Sequence, residues 1–308
     1  MQSDENVVGS ARNDTVNGDF NTVDGGPGKD TAHGKIKHKV SANGESDPVV
    51  RTPGGAVVGV FSSTLIIRGG HKITVKAHRD EGKIDKVDII EEITETLPGG
   101  QKVTKTVKSS YPVNGPIDSV LLEGGRGNDQ LRVDGFGADV PVRLSGGKGN
   151  DTLVGGQGND ILNDGAGDDK LFGGGGDDGL TNSRGKDHLF GQDGNDLLVS
   201  SSIDKGDRLG GGKGLDNVSF AQMPHDPAHP GRDLGVRAKI GGTARRIDKD
   251  GKGHGPSARI AGSVEDLEGS EGDDVLIGNG KNSHLMGRGG DDTLLGRRGD
   301  RPSRGTRR

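Results

Sequence analysis

Gly146-Gly-Lys-Gly-Asn-Asp-Thr-Leu-Val154 runs directly into Gly155-Gly-Gln-Gly-Asn-Asp-Ile-Leu-Asn163. Gly191-Gln-Asp-Gly-Asn-Asp-Leu-Leu-Val199 closes an unbroken series of six such nonapeptides. The shared template is G-G-x-G-x-D-x-U-x, with U a large apolar residue. Glycines at the first, second and fourth places allow positive φ and close backbone approach, which suits a tight turn. The sixth-place aspartate offers a carboxylate to that turn. The seventh to ninth places read as a very short strand, with the eighth residue pointing inward and its neighbours outward. The eighth residues are Leu153, Leu162, Leu171, Leu180, Leu189 and Leu198. A flexible Gly/Asp linker would not keep Leu and Asp two places apart through six copies. Two repeats make a coil of 18 residues, so alternate repeats stack on opposite sides. Asp151, Asp169 and Asp187 fall on one side, and Asp160, Asp178 and Asp196 on the other. The expected fold is all-β: a parallel β-roll, or β-solenoid, of 18-residue coils with essentially no helix.

This registered repeat resembles the RTX family, the repeats-in-toxin or haemolysin-type calcium-binding proteins, whose nonapeptide builds a parallel β-helix. The resemblance implies several calcium ions, each between stacked turns and held by two aspartates and several backbone carbonyls. Carried onto this chain, it implies Asp129, Asp151, Asp160, Asp169, Asp178, Asp187, Asp196, Asp207, Asp216, Asp274 and Asp292 as metal ligands. Calcium suits such turns because it takes six to eight oxygens in a flexible geometry, at about 2.3–2.6 Å. Magnesium demands a stricter octahedron and gives up water reluctantly.

Composition points the same way. The 308 residues would suffice for two ordinary domains. However, only 27% are hydrophobic and 2% aromatic, while 60 are glycine. Such a chain buries too little apolar surface to offset the entropy of ordering it. A solenoid whose coils pack on each other and bind metal escapes that limit. The absence of cysteine excludes disulfides, thiolate metal sites and cysteine nucleophiles. The net charge of −5 gives no basic field for nucleic acid, and no apolar stretch of about 18 residues suggests a membrane span. Met1-Gln-Ser-Asp-Glu-Asn6 has neither the basic nor the apolar region of a signal peptide. An extracellular setting is still expected from the resemblance, with the export route open.

Along the chain, residues 1–34 hold degenerate copies at Gly9–Asn17 and Gly25–His33, whose aspartates Asp14 and Asp30 lie 16 residues apart. Residues 35–122 are richer in β-branched residues, with strands expected at 73–77, 86–90 and 102–107 and turns at Gly82 and 97–100. They read as a β-rich cap continuous with the roll, or as wider coils. The main roll spans 123–219, with four extra residues expected near Gly135–Pro141 and two near Ser200-Ser201. Residues 220–262 read as insertion loops, Gln222–Arg232 and Asp248–Pro256, around a strand at 235–240. Re-entry at Ser263–Leu267 leads to a short second roll, 263–300. There Ser283 replaces the expected aspartate, and Arg301 followed by Pro302 is expected to end strand pairing. Residues 301–308 read as a disordered basic tail.

Other motifs are weaker. His225-Asp-Pro-Ala-His229 is surrounded by prolines that forbid the helix a two-histidine metal site needs. Arg298-Gly-Asp300 falls where a failing repeat supplies G-x-D. Gly174–Gly179 matches a dinucleotide fingerprint in letters without a β-α-β unit. Asp248-Lys-Asp-Gly251 lacks the distal glutamate of an EF-hand. H-E-x-x-H and G-x-S-x-G are both absent from the sequence. The expected function is therefore non-catalytic calcium binding by a secreted module that folds on the metal. Two alternatives remain: a folding and secretion accessory of a larger enzyme, and an adhesin or surface-layer component with a cell-surface or glycan partner.

Overall fold

The computed structural model describes residues 57–61, 63–69, 71–98, 100–113, 116–223, 235–248 and 250–297, with short strands at 6–8, 15–17, 22–24, 31–33, 49–52 and 301–303. Among them there is no helix, and the chain is a parallel β-solenoid with two facing walls. In the first wall, Gln130–Asp134, Thr152–Gly156, Lys170–Gly175, His188–Asp193 and Arg208–Lys213 stack in parallel. In the second, Ser119–Arg126, Val142–Lys148, Ile161–Ala166, Gly179–Asn182, Leu197–Ser200 and Asn217–Ser219 do the same.

The coil length follows the repeat. Thr152 pairs with Lys170 and Lys170 with His188, steps of 18 residues. Gln130 pairs with Thr152, a step of 22, and the extra residues form the bend 135–141. His188 pairs with Arg208, a step of 20, and the surplus lies between Ser200 and Asp207. Strand alternation sends each eighth-place leucine inward. Leu153, Leu162, Leu171, Leu180, Leu189 and Leu198 are completely buried and form a single file between the walls. Each contributes about 1.5–3 kcal/mol by leaving water.

The cap extends both walls. Lys72–Asp80, Lys83–Thr96 and Lys102–Pro112 form an antiparallel meander that joins the first wall through Lys72–Asp80. Val57–Phe61 and Thr64–Arg68 extend the second. The reversals fall at Gly82 and Gly100, both at positive φ. Of the degenerate N-terminal copies, the described strands Thr15–Asn17 and Thr31–His33 pair in parallel at a step of 16, whereas Asp14 and Asp30 lie outside the described residues.

Two expectations need correction. The segment expected as loops around one strand holds three strands, Gly235–Lys239, Thr243–Ile247 and Gly253–Ile260, antiparallel to one another and joined to the first wall in parallel at both ends. Pro256 obscures the last strand in the sequence. It is accommodated because the ladder slips between Ala244 and Arg246, leaving 255–257 outside the register. Alanines 238, 244 and 258 line the interior of this splice, too small to show as an apolar pattern. The second correction is at Pro302. Arg301–Ser303 pairs with His284–Met286 at the outer end of the second wall, where a residue without an amide hydrogen is tolerated. Gln222–Arg232 from 224 onward, the histidines 225 and 229, Arg298–Asp300 and the tail from 304 lie outside the described residues.

Candidate metal centre

Each turn carries the chain from one wall to the other and ends on its aspartate, immediately before the next strand. Along one edge the column is Asp129, Asp151, Asp169, Asp187 and Asp207, and along the other Asp160, Asp178, Asp196 and Asp216. All nine are at most 2% exposed. Asp274, also buried, and the half-buried Asp292 continue the first wall beyond the insertion.

A hydrogen-bond ladder orients these carboxylates. In eight of these aspartates the amide donates to Oδ1 of the aspartate one coil on. Asp129 donates to Asp151 at 2.7 Å, Asp151 to Asp169 at 2.6 Å, Asp169 to Asp187 at 3.0 Å and Asp187 to Asp207 at 3.0 Å. On the other edge Asp160 donates to Asp178 at 2.8 Å, Asp178 to Asp196 at 2.9 Å and Asp196 to Asp216 at 3.0 Å. Asp274 donates to Asp292 at 3.1 Å. One oxygen of each acceptor is thus fixed.

The second oxygen tells more. Oδ2 is buried without a hydrogen-bond partner in Asp129, Asp151, Asp160, Asp169, Asp178, Asp187, Asp196, Asp216 and Asp292. A buried unsatisfied acceptor costs about 1–3 kcal/mol, and more when charged. Nine in regular register fit a column of cations. Asp207 and Asp274 differ: their Oδ2 atoms accept from the amides of Asp204 and Ser270, each at 2.7 Å.

Glycine keeps the space open. A Cβ on Gly124, Gly146, Gly155, Gly173, Gly191, Gly211, Gly269 or Gly287 would collide with Oδ2 of the aspartate five residues on. At Gly146 it would also lie 2.5 Å from the carbonyl oxygen of Asp164, and at Gly173 2.7 Å from that of Gly191, each one coil on. Carboxylate and carbonyl oxygens therefore converge beside the first-place glycine, a donor set that suits calcium. The sequence reading gave all three glycines the same conformational duty. Positive φ is found at the second and fourth places of most copies, as at Gly147 (+109°) and Gly149 (+126°) though not at Gly156 and Gly158, whereas the first-place Gly146, Gly155 and Gly173 lack it and serve by being small.

Electrostatics agree. Burial pushes the Asp160 carboxyl up to about 7, Asp178 and Asp187 up to about 8, and Asp169, Asp196 and Asp207 up to about 6. Neighbouring carboxylates add to the shift at Asp178 and Asp187. Burial also raises Asp129, Asp151, Asp216 and Asp292, and takes Asp274 to about 7. Asp88 in the cap gives the contrast. Its burial is outweighed by Lys108 Nζ at 2.7 Å, Ser110 Oγ at 2.6 Å and His78, which together hold its carboxyl below the usual range. A buried acid with its cation is stabilised as the anion. Among the described residues no Lys or Arg pairs with the sixth-place aspartates of the roll, and the one side-chain partner of this kind is the His71 ring, whose Nδ1 lies 2.9 Å from Asp129 Oδ1.

The sequence reading missed three features. Fifth-place residues form a second ladder: Asn150 Oδ1 accepts from the Asp168 amide at 2.9 Å, and Asp177 Oδ1 from that of Asn195 at 2.7 Å. The recurrence of Asn or Asp at 150, 159, 168, 177 and 195 was its signal. Glu265 takes the aspartate place one coil beyond Asp216, because Asn217 pairs with Asp266, and it accepts from the Asp216 amide at 3.1 Å. The second edge therefore continues past the insertion, which interrupts only the first wall. Its signal was the nine-residue spacing to Asp274. The third is Asp164, buried beside Asp169 and Asp187.

A family model described as the RTX calcium-binding nonapeptide repeat matches in four copies, over residues 145–180, 183–202 and 268–301. The repeats are RTX calcium-binding nonapeptides. The matched residues include the RTX turns of Asp151, Asp160, Asp169, Asp178, Asp187, Asp196, Asp274 and Asp292. No curated protein matches the chain. RTX repeats in general bind calcium, and this chain folds its copies into a parallel β-roll whose buried aspartates are consistent with that.

Proposed function

We propose that the chain is a non-catalytic, extracellular module whose roll folds on binding several calcium ions. The observation that carries this reading is the regular series of buried Oδ2 atoms without partners. Without metal, close carboxylate pairs repel, at a cost of ~1 kcal/mol at about 4 Å in water and more where water is excluded. The single file of leucines is a thin core to set against that repulsion and chain entropy. At 1 mM calcium and an assumed dissociation constant of ~0.1 mM, each site adds about 1.4 kcal/mol. Millimolar free calcium is an extracellular condition, which is why the setting belongs to the reading. Circular dichroism during a calcium titration tests it: β signal should grow with calcium and vanish in excess chelator. An unchanged β spectrum in chelator would refute calcium-driven folding.

A further inference from the structure

Four of the six central repeats begin with glycine, at 146, 155, 173 and 191, and Asn182 begins a fifth. The remaining repeat begins with Asp164. A first-place Cβ is the group that collides with the sixth-place Oδ2 in the glycine copies. Asp164 thus puts a second carboxylate into the most crowded and most negative part of a turn. It is 2% exposed, and one of its carboxylate oxygens clusters with one from Asp169 and one from Asp187, the three atoms within 4.8 Å of one another. Its backbone partners hold it there: Oδ1 accepts from the Gly165 amide at 2.5 Å and Oδ2 from the Ser183 amide at 3.0 Å, one coil on. Each oxygen keeps acceptor capacity for an ion. An acidic cluster alone would show little, but Oδ2 of Asp169 and Oδ2 of Asp187 are buried beside it without partners. Three carboxylates enclosed this closely, two with unsatisfied oxygens, cannot all stay ionised unless a cation lies among them.

We propose that Asp164 is a third carboxylate ligand at the calcium site between the turns of Asp169 and Asp187, and that this site is the tightest in the roll and fills first. The inference rests on the calcium-binding reading and adds to the repeat a ligand its template lacks. Calcium affinity is tuned by the number of charged ligands, so a third carboxylate raises it. The opposite edge is an internal control, because the first places before Asp160, Asp178 and Asp196 are Gly155, Gly173 and Gly191. The site joins two coils at the middle of the unbroken block, where a bound ion would template growth in both directions.

The test is isothermal calorimetry of the full chain with calcium, comparing wild type, Asp164→Gly and Asp164→Asn. Asp164→Gly restores the residue found in four sister copies, so it should fold when calcium is saturating. Asp164→Asn keeps the shape and removes the charge. The wild type should show a tight first step followed by weaker ones. Both variants should lose that step, with the first binding event weakened by at least ~10-fold and the later steps retained. Asp164→Asn alone decides the matter if Asp164→Gly shows no β signal at saturating calcium. Superimposable titrations of wild type and Asp164→Asn would overturn the role of Asp164. A wild type that takes up no calcium would instead overturn the parent reading.

Discussion

The amide of Asp169 donates to Oδ1 of Asp187 at 3.0 Å, one coil on, and Oδ2 of Asp187 is left buried with no hydrogen-bond partner. A single bond thus orders one oxygen and presents the other to the space between the turns. The same relation recurs along both edges, so in the folded roll the backbone ladder turns the second carboxylate oxygens toward the space between coils.

Sharing follows from that stack. Asp169 has Asp151 one coil before it and Asp187 one coil after, whereas Asp292 has only Asp274 beside it among the described residues. Asp169→Asn keeps the shape and Oδ1 but puts amide hydrogens where a cation needs oxygen. It should weaken two sites, and Asp292→Asn one. Calcium counted by equilibrium dialysis at sub-saturating concentration should fall about twice as far in Asp169→Asn; equal losses would contradict shared ligands.

The size of the first-place glycine keeps the site open. A Cβ at 173 would collide with Oδ2 of Asp178 and lie 2.7 Å from the carbonyl oxygen of Gly191. Gly173→Ala should therefore displace two oxygens that face one site and lower calcium uptake on that edge. Gly82→Ala, where a Cβ meets nothing within 4 Å, should strain only a positive-φ turn in the cap and leave calcium uptake unchanged. Equal calcium titrations of Gly173→Ala and wild type would rule out the cradle.

Leu171 is completely buried in the single file between the walls. Leu171→Ala should cost about 2–5 kcal/mol in the calcium-loaded roll, measured by denaturant unfolding at fixed calcium. A loss under about 1 kcal/mol would mean that the metal column alone holds the coils.

Proton linkage gives a pH prediction with opposite signs in two conditions. In the metal-free roll, burial holds Asp178 and Asp187 up to about 8 against an ordinary value of 3.8. The folded state therefore binds more protons than the unfolded chain across that window, and metal-free stability falls as pH rises through it. In chelator, acidification from about pH 8 to about pH 5 should increase β signal. In calcium the same change should release ions, because protons compete for the ligands. A β signal in chelator that grows with rising pH would contradict the linkage.

The central roll was legible because its information is local and repeated. One Leu and one Asp at fixed spacing set the coil, the wall and the edge for every copy. Glu265 and Asp164 were legible only as departures from the template, and a template search discards departures. The spliced strands 235–260 were harder. Ala238, Ala244 and Ala258 pack inward without an apolar alternation, and Pro256 looks like a loop until its bulge is seen. Pro302 misled for another reason: its pairing depends on its place at the end of a wall, which spacing does not reveal.

Leu267 pairs with Leu285, so Ser283 follows Glu265 in the second-edge column, where earlier coils place aspartate. Ser283 is completely buried, and its hydroxyl donates to Asn279 Oδ1 at 3.0 Å, a bond that closes the turn on itself. A neutral hydroxyl so engaged is a poor calcium ligand, whereas Asp292 on the first edge keeps a buried oxygen without a partner. Calcium should therefore bind this segment on the Asp274/Asp292 side alone. Ser283→Asp should gain little. The new carboxylate must displace Asn279, face Glu265, and sit in a turn with Lys281 at the fourth place and Asn282 already at φ +63°. Anomalous scattering from crystals grown in calcium would locate the ions. A well-occupied ion beside Ser283 in the unmodified protein would overturn this asymmetry, because the site would then be built from backbone carbonyls without the sixth-place carboxylate.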